Sequence, residues 1–297
     1  MTATLHAVFR EGATALITGA ASGIGLATAK FCHAHCMNLC LLDINASGLD
    51  KAASELSNSS TTTVSKFTVD VSNLSDWEKI RQEILNLYPG GVDFLMLNAG
   101  GAFKPASGKT PWQDPEHFQK TFAVNTLGYT NGIATFIDSL TGNKDEQLQR
   151  AVVLTGSKQG ITNPPGNPAY NASKSAVKTI AEHLSFDLRH TNTSVHLLVP
   201  GWTYTGLQTA YFPTKPDGAW APEEVVNFMS QKMAEQKFYI LCPDNEVTEE
   251  LDRQRMAWGY GDIVYGRPAL SRWREDWKQT AAREIQATEF PPAPSLE

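Results

Sequence analysis

The stretch that decides the fold is residues 13–25, which read ATALITGAASGIG. An apolar run ends at Gly19, and a helical pattern begins near Gly23. Glycines in such a turn let backbone N–H groups approach a pyrophosphate, and the positive end of the helix adds to the attraction. On this motif alone, a glycine-rich turn that binds nothing is the alternative. We predict a phosphate-binding turn whose contact residues are Gly19, Ser22, Gly23, Ile24 and Gly25.

Apolar runs alternate with helical patterns along most of the chain. The predicted strands are residues 13–20, 38–44, 64–71, 92–97, 151–155, 194–199 and 238–242. The predicted helices are residues 23–35, 46–57, 74–88, 115–140, 168–189, 246–258 and 269–285. Continuous apolar strands between helices indicate a parallel sheet that is covered on both faces. We therefore predict an α/β fold with a single doubly wound, Rossmann-like sheet of about seven strands, with ligands at the carboxyl ends of the strands.

Candidate binding residues follow the second, third and fourth predicted strands. Asp43 can accept both hydroxyls of an adenosine ribose, although a helix N-cap is the alternative role of this carboxylate. Asp70 and Val71 are candidates for the adenine pocket. A bulkier turn after the fourth strand would collide with a bound dinucleotide, and the residues there are Asn98, Ala99 and Gly100.

Three residues carry the candidate chemistry. Ser157 follows the fifth predicted strand, and Tyr170 and Lys174 are four positions apart on the next helix, so they share one face. An ammonium close to a phenol stabilises the phenolate and lowers a pKa of about 10 toward neutrality. Such a tyrosine can donate a proton to a carbonyl or remove one from an alcohol, with Ser157 bonding the same substrate oxygen.

The motifs together resemble the short-chain dehydrogenase/reductase family. They are TGAASGIG at residues 18–25, LNAG at 97–100, the serine at 157 followed by YNASK at 170–174, and PGWTYT at 200–205. The resemblance runs from about residue 12 to residue 244. Leu97 stands where the family has a polar residue, and Gly156 precedes the serine. The chain is also longer than the family's usual core.

The resemblance implies a catalytic tetrad made of Asn125, Ser157, Tyr170 and Lys174. Asn125 would hold a water that links Lys174 to solvent, and Lys174 would also bond the nicotinamide ribose. The residues that would cradle the nicotinamide carboxamide are Pro200, Gly201, Trp202, Thr203 and Thr205.

The expected cofactor is NAD. A 2′-phosphate would lie close to the carboxylate of Asp43, and like charges at that distance repel. By the resemblance, members that bind NADP answer the phosphate with an Arg or Lys in the turn or just after the second strand. This chain has only Ala20, Ala21 and Ser22 in the turn, and Ile44 follows Asp43.

The expected activity is hydride transfer between the nicotinamide and the carbon of a carbonyl or secondary alcohol. Two alternatives remain open: a non-redox lyase or cyclase on the same fold, and a nucleotide-binding protein without turnover. The complete tetrad argues against the latter.

The expected substrate is a small-molecule alcohol or ketone, and aromatic residues indicate a bulky, cyclic one. They are Trp202, Tyr204, Tyr211, Phe212 and Trp220. Aromatic side chains supply a large contact area for cyclic ligands, so a lid over residues 206–222 is one interpretation. Ordinary packing of these residues is the other.

Composition excludes several classes of partner. The 297 residues carry a formal net charge of -6 and a pI of about 5.7, which disfavours nucleic acid. No apolar run is long enough for a membrane helix, so we expect a cytoplasmic protein that binds no membrane. Cys32, Cys36 and Cys40 lie near two histidines, but their spacing matches no closed zinc site, and we expect no metal.

We expect two segments, a dinucleotide-binding catalytic domain at residues 1–244 and a helical C-terminal extension at 245–297. An apolar stripe on the last predicted helix should pack against the core or a neighbouring subunit. Its members are Leu270, Trp273, Trp277, Ala281 and Ile285. The expected assembly is a homodimer or homotetramer.

Overall fold

Parallel strands form one seven-stranded sheet in the order β3-β2-β1-β4-β5-β6-β7. A computed structural model describes residues 5–57, 62–142, 148–206 and 212–291. The strands are β1 (Thr14–Thr18), β2 (Asn38–Asp43), β3 (Val64–Thr68), β4 (Phe94–Leu97), β5 (Arg150–Thr155), β6 (Thr193–Val199) and β7 (Tyr239–Leu241). Every neighbouring pair is parallel, so the prediction of a single doubly wound sheet is confirmed.

Helices cover both faces of this sheet, as buried apolar strands require. They are α1 (Gly23–Ala34), α2 (Ala46–Leu56), α3 (Leu74–Leu87), α4 (Pro115–Phe122), α5 (Gly128–Thr141), α6 (Lys158–Thr162), α7 (Pro168–Asp187), α8 (Pro222–Ala234), α9 (Glu249–Val264) and α10 (Lys278–Ala287). Apolar residues of α1, α2 and α8 pack in one core layer. Those of α3, α5 and α7 pack in the other.

The central strands explain why this arrangement forms. All five residues of β1 are buried, as are all residues of β4 and β5. Because successive side chains point to opposite faces, each of these strands contributes to both core layers. Their carboxyl ends meet at one edge, where the loops form a cleft.

Two helices were not predicted from the sequence. The short helix α6 follows Ser157 directly, and α8 lies before β7. The start of α8 has a recognisable signal, since Pro222 is its first residue and Glu223 and Glu224 lie in its first turn. Of the segment predicted as a lid, residues 207–211 lie outside the described residues.

The C-terminal extension differs from the predicted helices. The first helix begins three residues later than predicted and continues to Val264. The second predicted helix is a single 3-10 turn, Ser271–Trp273, followed by α10. The side chain of Asp262 accepts hydrogen bonds from Ser271 and Arg267, which fixes a turn where one helix was expected.

The predicted apolar stripe is therefore divided. Leu270 takes a left-handed conformation and is 39% exposed, and Trp273 is 41% exposed. Ala281 and Ile285 instead pack against Trp258 in a small core of the extension. The expected continuous stripe was wrong because the chain leaves the helical path at Leu270. Among the described residues, no helix is long and apolar enough to cross a membrane.

Candidate active site

A cleft of about 1430 Å3 lies at the carboxyl edge of the sheet, lined by loops that follow every strand. The predicted residues in its lining are Gly19, Ser22, Gly23, Ile24, Asp43, Asp70, Val71, Asn98, Ala99, Gly100, Ser157, Tyr170, Lys174, Pro200, Gly201, Trp202, Thr203 and Thr205. Gly25 and Asn125 are buried and are not part of this lining. Pockets for drug-sized ligands occupy about 300–1,000 Å3, so the cleft has room for a dinucleotide together with a substrate.

The glycine turn has the backbone geometry of a phosphate cradle. Gly19 and Gly23 have φ angles of 68° and 55°, which favour glycine. Ser22 is the N-cap of α1, so the positive end of that helix opens into the cleft. A Cβ on Gly23 would lie 3.1 Å from Thr205 Cγ2, where two walls of the cleft meet. The turn therefore fits a pyrophosphate.

Gly25 has a packing role instead of a place in the cleft wall. A Cβ at this position would lie 2.1 Å from the carbonyl oxygen of Gly19 and 2.9 Å from Asn98 Nδ2. Only glycine lets α1 approach the end of β1 this closely. This position thus shapes the turn from behind.

Asp43 faces the glycine turn from the end of β2. Its Oδ2 accepts a hydrogen bond from Ala21 N at 3.1 Å, and its Oδ1 accepts one from Asn45 N at 2.9 Å. Asn45, rather than Asp43, caps α2. Within the described residues, the basic side chains that line the cleft are Lys120, Lys158 and Lys174, and none belongs to the loops after β1 or β2.

Asn98 joins three central strands at the floor of the cleft. Its Nδ2 donates to Thr18 O at 3.2 Å, and its Oδ1 accepts from Thr155 Oγ1 at 3.3 Å. Thr18 Oγ1 accepts in turn from the N–H groups of Asn98 and Ala99. The motif that follows β4 is therefore held by side chains of β1 and β5.

Ser157 and Tyr170 meet at the end of β5. Ser157 is the N-cap of α6, and its hydroxyl accepts a hydrogen bond from Gln159 N. The Tyr170 ring is partly exposed in the cleft lining. Burial raises the pKa of Tyr170, while its hydrogen bond with Ser157 works in the opposite direction.

Lys174 is buried directly behind these two residues. Its Nζ donates to Thr155 O at 2.8 Å and to the Tyr129 hydroxyl at 3.2 Å. The Tyr129 hydroxyl donates to the same Thr155 carbonyl at 3.1 Å. Burial lowers the pKa of Lys174 to about 7. The sequence predicted that Lys174 would lower the pKa of Tyr170, but the hydrogen bonds of its ammonium go to Tyr129 and Thr155, and burial raises that pKa.

Asn125 lies at a widened helical turn, Ala123–Leu127, between α4 and α5. Its Oδ1 accepts from Gly101 N at 2.8 Å, and its Nδ2 donates to Ser173 Oγ at 3.2 Å. A Cβ on Gly100 would lie 3.2 Å from Asn125 Oδ1 and 3.5 Å from Lys174 Nζ. Asn125 is thus close to the other predicted catalytic residues, although its side chain holds the loop after β4 rather than facing the cleft.

Sequence reasoning missed several residues of this site. Among them are Thr18, Tyr129 and Lys158. Tyr129 had a usable signal, because it lies four positions after Asn125 in a helical segment. Thr18 and Lys158 act through contacts with residues distant in sequence, which no local pattern indicates.

The cysteine-rich segment carries no metal geometry. Among the described residues, no group of three His, Cys, Asp or Glu side chains is arranged to hold a metal ion. Cys32 and Cys40 are buried, and burial raises the pKa of both thiols.

Comparisons with known proteins agree with this geometry. A profile of the short chain dehydrogenase family matches residues 13–216. Human estradiol 17-beta-dehydrogenase 11 is 32% identical over 79% of this chain and 76% of its own length. A 1-deoxy-11-beta-hydroxypentalenate dehydrogenase from Streptomyces exfoliatus is 26% identical over 87% of this chain and 93% of its own.

Solved structures show the same fold. A short-chain dehydrogenase/reductase from Burkholderia phymatum in complex with NAD has a TM-score of 0.72 at 25% identity, covering 86% of this chain and 96% of that chain. Among similar structures, some hold NADH and others an NADP derivative. The family profile spans most of the sheet, and the cleft has the features that the family motifs predict. The chain therefore belongs to the short-chain dehydrogenase/reductase family.

Proposed function

We propose that this protein is an NAD-dependent oxidoreductase that interconverts a secondary alcohol and a carbonyl compound. The observation that carries the proposal is the convergence of Ser157, Tyr170 and Lys174 at one end of a cleft large enough for a dinucleotide. The glycine turn and Asp43 line another part of the same cleft. Family membership supports oxidoreductase chemistry in general, and these residues support its form here.

The glycine turn and Asp43 would hold the dinucleotide, whose chemistry would be hydride exchange with the carbon that carries the reacting oxygen. The Tyr170 hydroxyl gives a proton to that oxygen in reduction and takes one from it in oxidation. Ser157 lies beside the Tyr170 hydroxyl and can bond the same substrate oxygen, so it would orient that oxygen toward Tyr170. Lys174 supplies an ammonium behind them, held by two hydrogen bonds.

The two reaction directions should respond to pH in opposite ways. Oxidation needs a deprotonated Tyr170, and burial raises the pKa of this phenol, so oxidation should accelerate as pH rises. Reduction needs the protonated phenol and should be favoured at lower pH. The pKa of Lys174, about 7, lets this side chain change charge within the working range.

Asp43 supports NAD over NADP. Its carboxylate lines the cleft beside the glycine turn and is held there by Ala21 N. A 2′-phosphate at about 4 Å would repel this charge by about 4 kcal/mol per unit pair at an effective dielectric of 20, before screening. The loops after β1 and β2 contribute no basic side chain to the lining within the described residues.

A bulky, cyclic substrate is favoured by the relatives and by the cleft wall. The two curated relatives are named for estradiol and a hydroxypentalenate, which are cyclic alcohols. Phe103 and Trp202 line the cleft, and Trp202 stacks edge-on against Phe212 with ring centroids 5.8 Å apart. Trp202 O also accepts a hydrogen bond from Trp220 N. The aromatic residues thus brace one another beside the cleft, which suits a large apolar ligand.

The test is a panel of cyclic and small linear alcohols and ketones, followed by absorbance of the reduced cofactor with NAD or NADP. We expect turnover of cyclic secondary alcohols with NAD, and about a thousandfold slower turnover in the Tyr170→Phe variant. Cofactor binding without turnover of any compound would favour a nucleotide-binding protein. Conversion of a substrate without net change in the redox state of NAD would favour a lyase or cyclase.

A further inference from the structure

A buried ion cluster lies beside the cleft and involves the C-terminal extension. Lys158 Nζ is 2.8 Å from Asp252 Oδ2 and 3.0 Å from Asp244 Oδ2. The Asp252 side chain is 1% exposed, and that of Lys158 is 15% exposed. Lys158 follows Ser157 directly in the chain, while Asp252 lies on α9. One ammonium therefore connects the loop after β5 to the extension.

Asp244 extends this connection to a second loop of the cleft. Its Oδ2 also accepts a hydrogen bond from Trp202 N at 3.0 Å. A Cβ on Gly201 would lie 2.7 Å from Asp244 Oδ2 and 3.0 Å from Lys158 Nζ, so the loop after β6 rests directly on the ion pair. Lys158, Gly201, Trp202 and Asp244 all line the cleft.

The electrostatics make this cluster a rigid support. Burying a charge is costly unless it is paired, and removing one partner leaves the others uncompensated. Asp252 has Arg255 as a second, longer partner at 3.5 Å, whereas Lys158 is the cation that Asp244 and Asp252 share. Helix α9 and both cleft loops thus meet at the same side chain.

We propose that Lys158 and Asp252 are positioning residues, through which the C-terminal extension sets the two loops that enclose the nicotinamide end of the cleft. One loop carries Ser157 and the other runs from Gly201 through Trp202. This inference rests on the proposed function, because it assumes that a nicotinamide dinucleotide binds along the cleft. It assigns the extension a part in the active site in addition to its own packing.

The test compares two probes by titration calorimetry on the full-length protein. NADH reaches the whole cleft, whereas ADP-ribose has the same adenosine, pyrophosphate and second ribose but no nicotinamide. Asp252→Asn keeps the shape of the side chain and the Lys158–Asp244 pair, while Lys158→Met removes the shared cation. We expect about tenfold weaker NADH binding in both variants, with ADP-ribose binding unchanged.

The matched control is Asp93→Asn, which removes a buried carboxylate that pairs with Arg10 at 2.8 Å before β4, far from the cleft. It should lower the melting temperature and leave both probes unchanged. Equal losses for NADH and ADP-ribose, or no loss of NADH affinity in a folded Asp252→Asn protein, would overturn the inference. If the wild-type protein binds neither probe, the proposed function fails, and this inference fails with it.

Discussion

The two ends of the cleft are built in different ways. The end that would hold the adenosine and pyrophosphate is called the dinucleotide end. There, the glycine turn and Asp43 are joined by a hydrogen bond between residues that are 22 positions apart. At the nicotinamide end, Lys158 and Asp244 are 86 positions apart, and Lys174 and Tyr129 are 45 apart. The first end depends on backbone geometry, and the second on buried charged and polar side chains. Substitutions at the first end should therefore affect binding of the adenosine and pyrophosphate, and those at the second end should affect chemistry and binding of the nicotinamide.

The largest effect is expected at the chemical end. Tyr170→Phe removes the hydroxyl that moves the proton and keeps the ring in place, so turnover should fall by about a thousandfold. Binding of NADH should stay close to that of wild type, measured by titration. Tyr204→Phe is the control, because its hydroxyl donates to Phe212 O and Tyr204 is not part of the cleft lining. A Tyr170→Phe enzyme with wild-type turnover would exclude Tyr170 as the acid and base.

The dinucleotide end should be most sensitive to added backbone bulk. Gly25→Ala would place a Cβ 2.1 Å from Gly19 O, so the turn or α1 must shift. We expect a loss of about 2–3 kcal/mol in the free energy of unfolding, measured by urea denaturation, together with weaker binding of ADP-ribose. Gly259→Ala is the control, since nothing lies within 4 Å of its Cβ in α9, and a helical alanine should stabilise by about 0.5–1 kcal/mol. Equal stability of both variants would show that the close approach is not needed.

The same contrast explains what the sequence could predict. The strand–turn–helix pattern, Asp43 and the Tyr170–Lys174 spacing are local features, and the structure places all of them in one cleft. The link from Lys158 to Asp252 depends on how α9 lies against α6, which no periodicity encodes. The break at Leu270 likewise depends on Asp262 accepting hydrogen bonds from Ser271 and Arg267. Burial raises the pKa of Tyr170, whereas the spacing of Tyr170 and Lys174 predicted a lowered one, because residue spacing carries no information about solvent access.

A moderate effect is expected on cofactor choice. Asp43→Asn removes the charge and keeps an oxygen that can accept from Ala21 N. Even a quarter of the repulsion of about 4 kcal/mol corresponds to about a fivefold change in the ratio of kcat/KM for NAD to that for NADP. The control is Asp70→Asn, another carboxylate of the cleft lining, which bonds Ser72. Preference of the wild-type enzyme for NADP, or an unchanged ratio in Asp43→Asn, would remove Asp43 from this role.

The smallest effect is expected at Tyr129, which lies behind the reacting groups. Tyr129 is buried, and its hydroxyl accepts a hydrogen bond from Lys174 Nζ while donating to Thr155 O. Accepting from an ammonium favours the charged form of Lys174, whose pKa burial has lowered to about 7. Tyr129→Phe should therefore lower the pKa of Lys174 further, so that the ammonium loses its charge at lower pH. Since Tyr170 becomes a phenolate when it gives its proton to the carbonyl, and the ammonium stabilises that phenolate, the pH profile of carbonyl reduction should move to lower pH by about half a unit, with about threefold slower reduction on its falling limb.

The control for this shift is Tyr88→Phe, because Tyr88 is also a buried tyrosine whose hydroxyl bonds Leu39 O and Ser65 but lies away from the cleft. Loss of either hydroxyl should cost a similar, small amount of stability. Only the loss of the Tyr129 hydroxyl should move the pH profile, since of these two tyrosines it is Tyr129 that bonds Lys174. If both variants keep the wild-type profile, the charge on Lys174 does not depend on Tyr129, and the nicotinamide end tolerates the loss of one buried hydrogen bond. If Tyr129→Phe moves the profile to higher pH, the hydroxyl must favour the neutral amine, and the sign of this coupling is opposite to the one argued from its geometry.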